Sequence, residues 1–284
     1  MNPPIPLQPH SLIGRLREET LIQAAFNAKR HLLIEGPVGV GKTFLVETIL
    51  ANRHKKHLRI DGDSRYTEQK LVGYFDPPIV LKKGYTKEAL IKGPLTLAMQ
   101  MGWVLFINEL NRMPEAVQNI LLPAMDEHII TIPNHGMVKA KNGFLICATQ
   151  NPKEFTATHH LSEALLDRFE MLSLSYLTEE QEIAILSHHF TNTLSKDSIK
   201  QIITLIRRTR EHPSIKRGAS LRAALSIAEL MNAGVSFREA ALMALSTRIE
   251  VSNELNTKDT LEELLIEMVD KKDNDPSQKK KKSF

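Results

Sequence analysis

The chain has 284 residues, of which 42% are hydrophobic and 25% charged, the composition of a globular protein with one large domain or two smaller ones. Its net charge of +4 lies mostly in the segment 270–284, where six lysines outnumber three aspartates, so the remainder is nearly neutral and nucleic acid is not an expected partner. The single cysteine, Cys147, excludes an intrachain disulfide. No apolar run approaches the roughly 18 residues of a membrane span, and segment 1–10 does not resemble a signal peptide, so a cytoplasmic protein is expected.

The first part of the chain alternates between strand-like and helical patterns. Apolar runs predict five strands, at 31–35, 57–61, 103–108, 144–149 and 171–175, with helical patterns between them, at 17–29, 42–52 and 115–126. This alternation predicts an α/β domain over residues 1–175, with a parallel five-stranded sheet between two layers of helices.

Two segments interrupt the alternation. Residues 63–93 are predicted to form a long irregular insertion, and such insertions are often functional. Residues 129–132 and 137–141 flank a Pro-Asn-His-Gly turn, which predicts a β-hairpin.

Beyond residue 175 the strand patterns stop and helical periodicity takes over. Helices are expected at 179–190, 196–211, 220–232, 237–250 and 260–269. Residues 176–269 therefore predict a small all-helical domain. The lysine-rich tail, 270–284, lacks periodicity and is predicted to be disordered.

The strongest motif lies between the first strand and the second helix. Its residues fit the phosphate-binding loop pattern G-x-x-x-x-G-K-[ST]: Gly36, Pro37, Val38, Gly39, Val40, Gly41, Lys42 and Thr43. The glycines allow backbone N–H groups to surround phosphate oxygens at a helix N-terminus. Lys42 would contact the β- and γ-phosphates of ATP, and Thr43 would bind Mg²⁺.

A second motif ends the strand at 103–108. In ATPases with this loop, the corresponding Walker B strand usually ends in Asp-Glu: the aspartate steadies Mg²⁺ and the glutamate polarises the attacking water. Here the pair is Asn108-Glu109. Glu109 can act as the base, whereas Asn108 accepts hydrogen bonds near the metal without a negative charge. Weaker Mg²⁺ binding and slower turnover are therefore expected, without loss of activity.

The strand at 144–149 also ends in polar residues. If it lies between the strands that precede the phosphate loop and Glu109, Asn151 faces the γ-phosphate or the attacking water. Taken alone, this polar strand end equally fits an ordinary turn.

In these motifs the chain resembles the MoxR-type AAA+ ATPases. The resemblance extends over about residues 11–250 and includes ATQNP at 148–152 and LSEALLDRF at 161–169. The other matching segments are 36–43, 108–112, 117–127 and 217–223. The resemblance implies an AAA+ nucleotide-binding domain followed by a helical lid.

The resemblance also implies roles for single residues. Asn151 corresponds to sensor 1, a polar group beside the γ-phosphate. Arg168 corresponds to the arginine finger, which enters the neighbouring subunit's site and neutralises charge on the transferred phosphoryl group; the alternative is a salt bridge within the chain. Arg222 corresponds to sensor 2 on the lid, with Arg217 as its competitor. Ile13, in the segment 12–15, corresponds to an apolar residue packed on adenine; the alternative is that it belongs to the core.

Three further features bear on what the resemblance implies. Asn108 departs from the family's aspartate, which bears on metal affinity and rate. The segment 73–92 and the hairpin occupy the places of two loops that line the central pore in the family. Tyr74, Phe75 and His135 are therefore either partner contacts or local core.

The leading functional hypothesis is an ATP-hydrolysing, chaperone-like remodelling protein that works as a ring, with a hexamer expected from the resemblance. Its partners would be a von Willebrand factor A domain protein and a client such as a metalloenzyme undergoing maturation or cofactor insertion. One alternative is a nucleotide-gated binding module with weak hydrolysis, suggested by Asn108. The other is a nucleic-acid motor, which the nearly neutral folded part disfavours.

Overall fold

The protein is described from a computed structural model, which covers residues 12–151, 159–191, 193–252 and 256–273, with side chains to residue 267 in the last helix. The chain divides into two compact units, Met1–Ser175 and Tyr176–Phe284.

The first unit combines a central sheet with surrounding helices and two small ribbons. In chain order its elements are α1 (Leu16–Asn27), β1 (His31–Glu35), α2 (Lys42–Asn52), β2 (His57–Asp61), α3 (Glu68–Val72), β3 (Gly73–Phe75), α4 (Pro77–Lys83), β4 (Leu90–Lys92), α5 (Pro94–Met101), β5 (Val104–Asn108), a 3-10 turn (Leu110–Arg112), α6 (Glu115–Asn119), α7 (Leu121–Asp126), β6 (Ile129–Ile132), β7 (Gly136–Lys139), β8 (Leu145–Gln150), α8 (Glu163–Leu166) and β9 (Phe169–Ser173).

The central sheet has five strands in the order β2-β5-β8-β1-β9, and every neighbouring pair is parallel. This confirms the predicted parallel α/β sheet, with β8 between the phosphate-loop strand β1 and the Walker B strand β5. Strands β1, β5 and β8 are buried along nearly their whole length, since parallel strands are covered on both faces. As a result, the loops after β1, β2, β5 and β8 lie at one edge of the sheet.

Most predicted bounds hold to within two residues. β1, β2 and α2 have the predicted limits, whereas β9 begins at Phe169 instead of residue 171. The helix predicted at 115–126 is divided into α6 and α7.

The insertion at 63–93 corrects the prediction of an irregular segment. It contains two short helices, α3 and α4, whose N-terminal N–H groups are capped by Thr67 and Asp76, and an antiparallel ribbon formed by β3 and β4. Phe75 packs against the core and meets the Tyr85 ring edge-on at 5.0 Å between centroids. Tyr74 is 43% exposed. Phe75 is therefore local core, while Tyr74 is accessible.

β6 and β7 form the predicted hairpin.

The second unit has its own apolar core, formed mainly by its helices. Its elements are α9 (Glu179–His189), α10 (Lys196–Glu211), β10 (Ile215–Arg217), α11 (Leu221–Asn232), α12 (Phe237–Leu245), β11 (Glu250–Val251) and α13 (Thr257–Asp273). The β10-β11 ribbon is antiparallel and corrects the prediction that this unit is all-helical. Residues 270–273 belong to α13, so the predicted start of the disordered tail, at residue 270, is too early. Residues 274–284 lie outside the described part of the chain.

Candidate nucleotide-binding and hydrolysis site

The phosphate loop connects buried β1 to α2 through a tight turn. Gly36 has a φ of +152°, and a Cβ atom there would lie 2.4 Å from the carbonyl oxygen of Leu174, so only glycine fits. Gly41 is the N-cap of α2 in the left-handed region. The backbone conformations of Gly36 and Gly41 therefore direct the loop to the N-terminus of α2.

Lys42 is the first residue of α2, and its side chain turns back into the loop. It is 9% exposed, and its Nζ donates hydrogen bonds to the carbonyl oxygens of Gly36 at 2.7 Å and Pro37 at 3.0 Å. An ammonium group inside a loop at a helix N-terminus makes a strongly anion-attracting site. The geometry fits the polyphosphate of a nucleotide.

Arg15 supports the loop from behind, a contact that no sequence motif indicated. Its guanidinium is buried and donates to the carbonyl oxygens of Val40 at 3.2 Å and Ser175 at 2.7 Å. It thereby joins the phosphate loop to the chain after β9. Ile13, two residues earlier, is half-buried, and its contact with adenine remains a prediction.

Asn108 connects the loop helix to the neighbouring strands. Its Oδ1 accepts hydrogen bonds from the hydroxyls of Thr43 at 2.7 Å and Thr149 at 2.9 Å. Its Nδ2 donates to Asp61 Oδ1 at 2.7 Å. Oxygen donors of this kind suit Mg²⁺, which prefers hydroxyl, carboxylate and water oxygens. The residues present therefore fit a magnesium ion bound with ATP.

Asp61 ends β2 directly beside Asn108, which it faces in the strand register. Burial raises the pKa of Asp61, but hydrogen bonds from Arg59 and Asn108 outweigh it and hold the pKa below its usual value. Asp61 is consequently ionised at neutral pH. No sequence motif indicates this contact, since it depends on which strand lies next to β5.

Glu109 follows β5 in a conformation that is uncommon for a side-chain-bearing residue. Its φ is 58° and its ψ 52°, in the left-handed region, and its N–H donates to Thr149 Oγ1 at 2.9 Å. Its carboxylate pairs with Arg112 at 2.9 Å while the side chain stays 37% exposed. Strain of this kind is characteristic of functional positions, and an accessible carboxylate can polarise a water molecule.

Asn151 follows β8, which lies between β1 and β5, so it shares the sheet edge with Lys42 and Glu109. It is 7% exposed, and its carbonyl oxygen accepts a hydrogen bond from Asn111 Nδ2 at 3.2 Å. The position of β8 between β1 and β5 is the one that the sensor hypothesis requires, and the role of Asn151 beside a γ-phosphate stays a prediction. Pro152, which completes the ATQNP motif, lies outside the described residues.

Arg168 lies at the other end of the sheet. It directly precedes β9, whose Phe169 faces His31 at the start of β1, whereas the phosphate loop follows the end of β1. Its Nε donates to Asp126 Oδ2 at 2.7 Å, and its guanidinium also contacts the carbonyl oxygen of Ala164. The structure thus does not bring Arg168 together with Lys42 and Glu109.

The two candidates for sensor 2 lie in the second unit. Arg222 is exposed in the first turn of α11, and Arg217 is exposed at the end of β10. Their approach to a nucleotide stays a prediction.

Other site classes find no support in the described residues. Across residues 12–151, 159–191, 193–252 and 256–267, no group of three or more His, Cys, Asp or Glu side chains is arranged to hold a metal. Cys147 is buried in β8, and burial raises the pKa of its thiol, so it is not a nucleophile. In the part of the chain that the structure covers, no helix is both long and apolar enough to cross a membrane.

Two family models match the chain. A model described as AAA domain (dynein-related subfamily) matches residues 31–169, which include the phosphate loop, Glu109 and Asn151. A second model, described as CbbQ/NirQ/NorQ C-terminal, matches residues 182–268 in the second unit.

Individual proteins agree with the family models. The gas vesicle ATPase GvpN of Haloferax mediterranei is 29% identical over 227 residues, which cover 74% of this chain and 65% of GvpN. BssE of Thauera aromatica, named as a candidate chaperone, is 26% identical over 241 residues, which cover 84% of this chain and 79% of BssE. The chain thus spans just under two thirds of GvpN.

A solved structure supports the fold alone. A mutant of RuvB from Thermotoga maritima has a TM-score of 0.51 at 18% sequence identity, and the match covers 81% of this chain and 68% of RuvB. The phosphate loop and the two family models, which match residues 31–169 and 182–268, show that the chain belongs to the MoxR-like AAA+ ATPases.

Proposed function

We propose that the chain is a chaperone-like ATPase that assembles into a ring, with a hexamer as the expected size, and uses ATP to remodel a protein client. The main support for this proposal is that Arg168 and the phosphate loop lie at opposite ends of the sheet. The five residues of β1 separate the two, a span of about 16 Å that exceeds an arginine side chain. Arg168 can therefore act on a γ-phosphate only in a neighbouring subunit.

The site residues would divide the chemical work. Backbone N–H groups of residues 36–43 and the ammonium of Lys42 bind the phosphates, and Thr43 with Asn108 holds Mg²⁺. The metal supplies neutralisation of phosphate charge when bound. Glu109 orients and polarises the attacking water, and Asn151 positions it against the γ-phosphate.

Assembly tests this proposal directly. Molar mass should be measured by light scattering with and without ATP, together with ATPase rate per subunit over a range of protein concentrations. The rate should rise with concentration as rings form. Arg168→Ala should still bind ATP and lose about 1,000-fold or more of its rate, because an arginine finger contributes about 10³- to 10⁵-fold to kcat. A monomer whose rate is independent of concentration would contradict the ring.

The partners are proposed on family grounds. The names of GvpN and BssE associate these relatives with ATPase and chaperone activity. The resemblance to MoxR-type proteins implies a von Willebrand factor A domain partner. We infer a partner of that kind, a client undergoing metal-site or cofactor maturation, and a cytoplasmic location. Co-purification with neighbouring gene products, followed by ATPase assays with each, should identify a protein that changes the rate by several-fold.

Asn108 favours a second candidate, a nucleotide-gated binding module that hydrolyses ATP slowly. An amide at this position brings no charge to the metal. Single-turnover measurements separate the two: a chemical step slower than client release supports the gated module, and a faster one supports the remodelling motor.

A further inference from the structure

We propose that Asp61, at the end of β2, supplies the negative charge of the magnesium site in place of the Walker B aspartate that the chain lacks. The proposal rests on the magnesium-dependent ATP binding inferred above. Asp61 lies at the end of β2, one strand away from the usual Walker B position at the end of β5. Hydrogen bonds through Asn108 connect it to Thr43 in α2.

The contacts form a continuous chain of hydrogen bonds. Thr43 Oγ1 donates to Asn108 Oδ1 at 2.7 Å, and Asn108 Nδ2 donates to Asp61 Oδ1 at 2.7 Å. The side chain of Asp61 is 61% exposed, so water bound to a metal has access to it. Mg²⁺ gives up its water reluctantly and usually keeps several water molecules when bound, so a carboxylate can contact it through one of them.

Residues 61 and 108 form a complementary pair. An ionised carboxylate only accepts hydrogen bonds, so its contact with position 108 requires a donor there. The amide of Asn108 provides one, and its oxygen remains directed at Thr43 and Thr149. An aspartate at 108 would set two carboxylates against each other, so asparagine is the residue that fits beside Asp61.

Backbone packing fixes this pair. The N–H of Gly62 donates to the carbonyl oxygen of Asn108 at 2.7 Å, and a Cβ atom at position 62 would lie 2.0 Å from the carbonyl oxygen of Glu109. Only glycine allows this approach, and it holds the end of β2 against the Walker B turn.

A surface ion pair is the competing explanation for Asp61. Arg59 contacts Asp61 at 2.8 Å and Glu47 at 2.6 Å. One guanidinium is thus shared between two carboxylates, and the three groups together keep a net charge of −1. The ion pair therefore does not cancel the charge next to Asn108.

Metal affinity tests the proposal with a measurement other than activity. Mn²⁺ replaces Mg²⁺, and its binding to the full chain with a non-hydrolysable ATP analogue is followed by electron paramagnetic resonance. Asp61→Asn should weaken Mn²⁺ binding about tenfold, the effect of removing one nearby charge at a partly screened site. Nucleotide binding without metal should stay unchanged.

Two further variants make the result specific. Asp63→Asn is the matched control, because it removes an equal charge two residues away, where the carboxylate pairs with Arg65; it should change Mn²⁺ affinity less than about twofold. Asp61→Asn combined with Asn108→Asp exchanges the acid and the amide, and should return the affinity to within about threefold of wild type.

The proposal is overturned if Asp61→Asn behaves like Asp63→Asn, or if the exchanged pair is no better than Asp61→Asn alone. A wild-type chain that binds neither nucleotide nor Mn²⁺ would overturn the proposed ATP site as well. If nucleotide still binds but Asp61→Asn leaves the Mn²⁺ affinity unchanged, only the proposal for Asp61 is overturned.

Discussion

At the scale of single residues, the hydrogen bonds of Asn108 decide what a return to the usual Walker B pair would do. In Asn108→Asp the second carboxylate oxygen would replace an amide that donates to Asp61 at 2.7 Å. Without metal, the lost hydrogen bond and the facing charges should reduce the free energy of unfolding by about 1 kcal/mol or more.

Urea unfolding in EDTA measures this change. Adding Asp61→Asn should restore stability, since the exchanged pair regains a donor facing an acceptor. If metal-free Asn108→Asp is as stable as wild type, the two side chains do not interact as the structure shows.

Arg168 is the second residue whose role can be tested. Its contact with Asp126 is either the resting position of a side chain that acts in a neighbouring subunit or a purely structural ion pair. The carboxylate of Asp126 accepts a hydrogen bond from Arg168 Nε at 2.7 Å, and this contact raises the pKa of the Arg168 guanidinium. Asp126→Asn removes the negative charge. If Arg168 acts in the neighbouring subunit, Asp126→Asn rings should hydrolyse ATP at least as fast as wild type, while Arg168→Ala rings lose activity. Equal losses in both variants, measured at a concentration that saturates assembly, would make the ion pair purely structural.

At the scale of elements, agreement between sequence and structure follows the strength of the local signal. β1 and α2 were predicted to the residue because an apolar strand, a glycine-rich turn and an apolar helix adjoin one another. The β10-β11 ribbon was missed because its strands have only three and two residues, too few for a periodic pattern. The Asp61–Asn108 contact was missed because it follows from strand order, which one sequence does not encode locally.

Strand β1 also carries a buried histidine with a measurable effect. His31 Nδ1 accepts a hydrogen bond from the N–H of Ile146 at 2.9 Å, so Nε2 carries the proton and faces the carbonyl oxygen of Met125 at 3.4 Å. Burial, the largest cause, lowers the pKa of His31 to about 4. The folded protein therefore holds the neutral ring, whereas the unfolded chain takes up a proton below about pH 6.5.

The sign of the pH dependence follows. Stability from His31 is complete above pH 6.5 and falls as the pH drops towards 4, by about 2 kcal/mol between pH 7.5 and 5. Urea unfolding of wild type and His31→Asn at several pH values checks this, since asparagine keeps an acceptor for Ile146 without titrating in that range. The variant should be less stable at pH 7.5 but show a shallower slope; parallel slopes would contradict the buried neutral ring.

At the scale of the whole molecule, the proposed catalytic interface needs two subunits, because the groups that would form it lie far apart within one chain. The phosphate loop and Glu109 lie at one end of the sheet, and Arg168 lies at the other. The proposed ring would supply the missing half to every subunit in turn, because head-to-tail contacts that close into a ring repeat the same interface. Hydrolysis would then depend on assembly, and ATP turnover would be coupled to the state of the ring.

Mixing inactive subunits tests this arrangement most directly. Lys42→Ala lacks phosphate binding but keeps Arg168, while Arg168→Ala has the opposite defect, so each protein alone should be inactive. In mixed rings, an Arg168→Ala site next to a Lys42→Ala subunit is complete. With random mixing at equal amounts, roughly a quarter of the interfaces are of this kind, so a comparable fraction of the wild-type rate should return. Arg168→Ala mixed with the double variant Lys42→Ala/Arg168→Ala is the control and should stay inactive, because that partner brings no arginine. Recovery in neither mixture, despite mixed rings detected by native mass spectrometry, would mean that Arg168 acts only within its own chain.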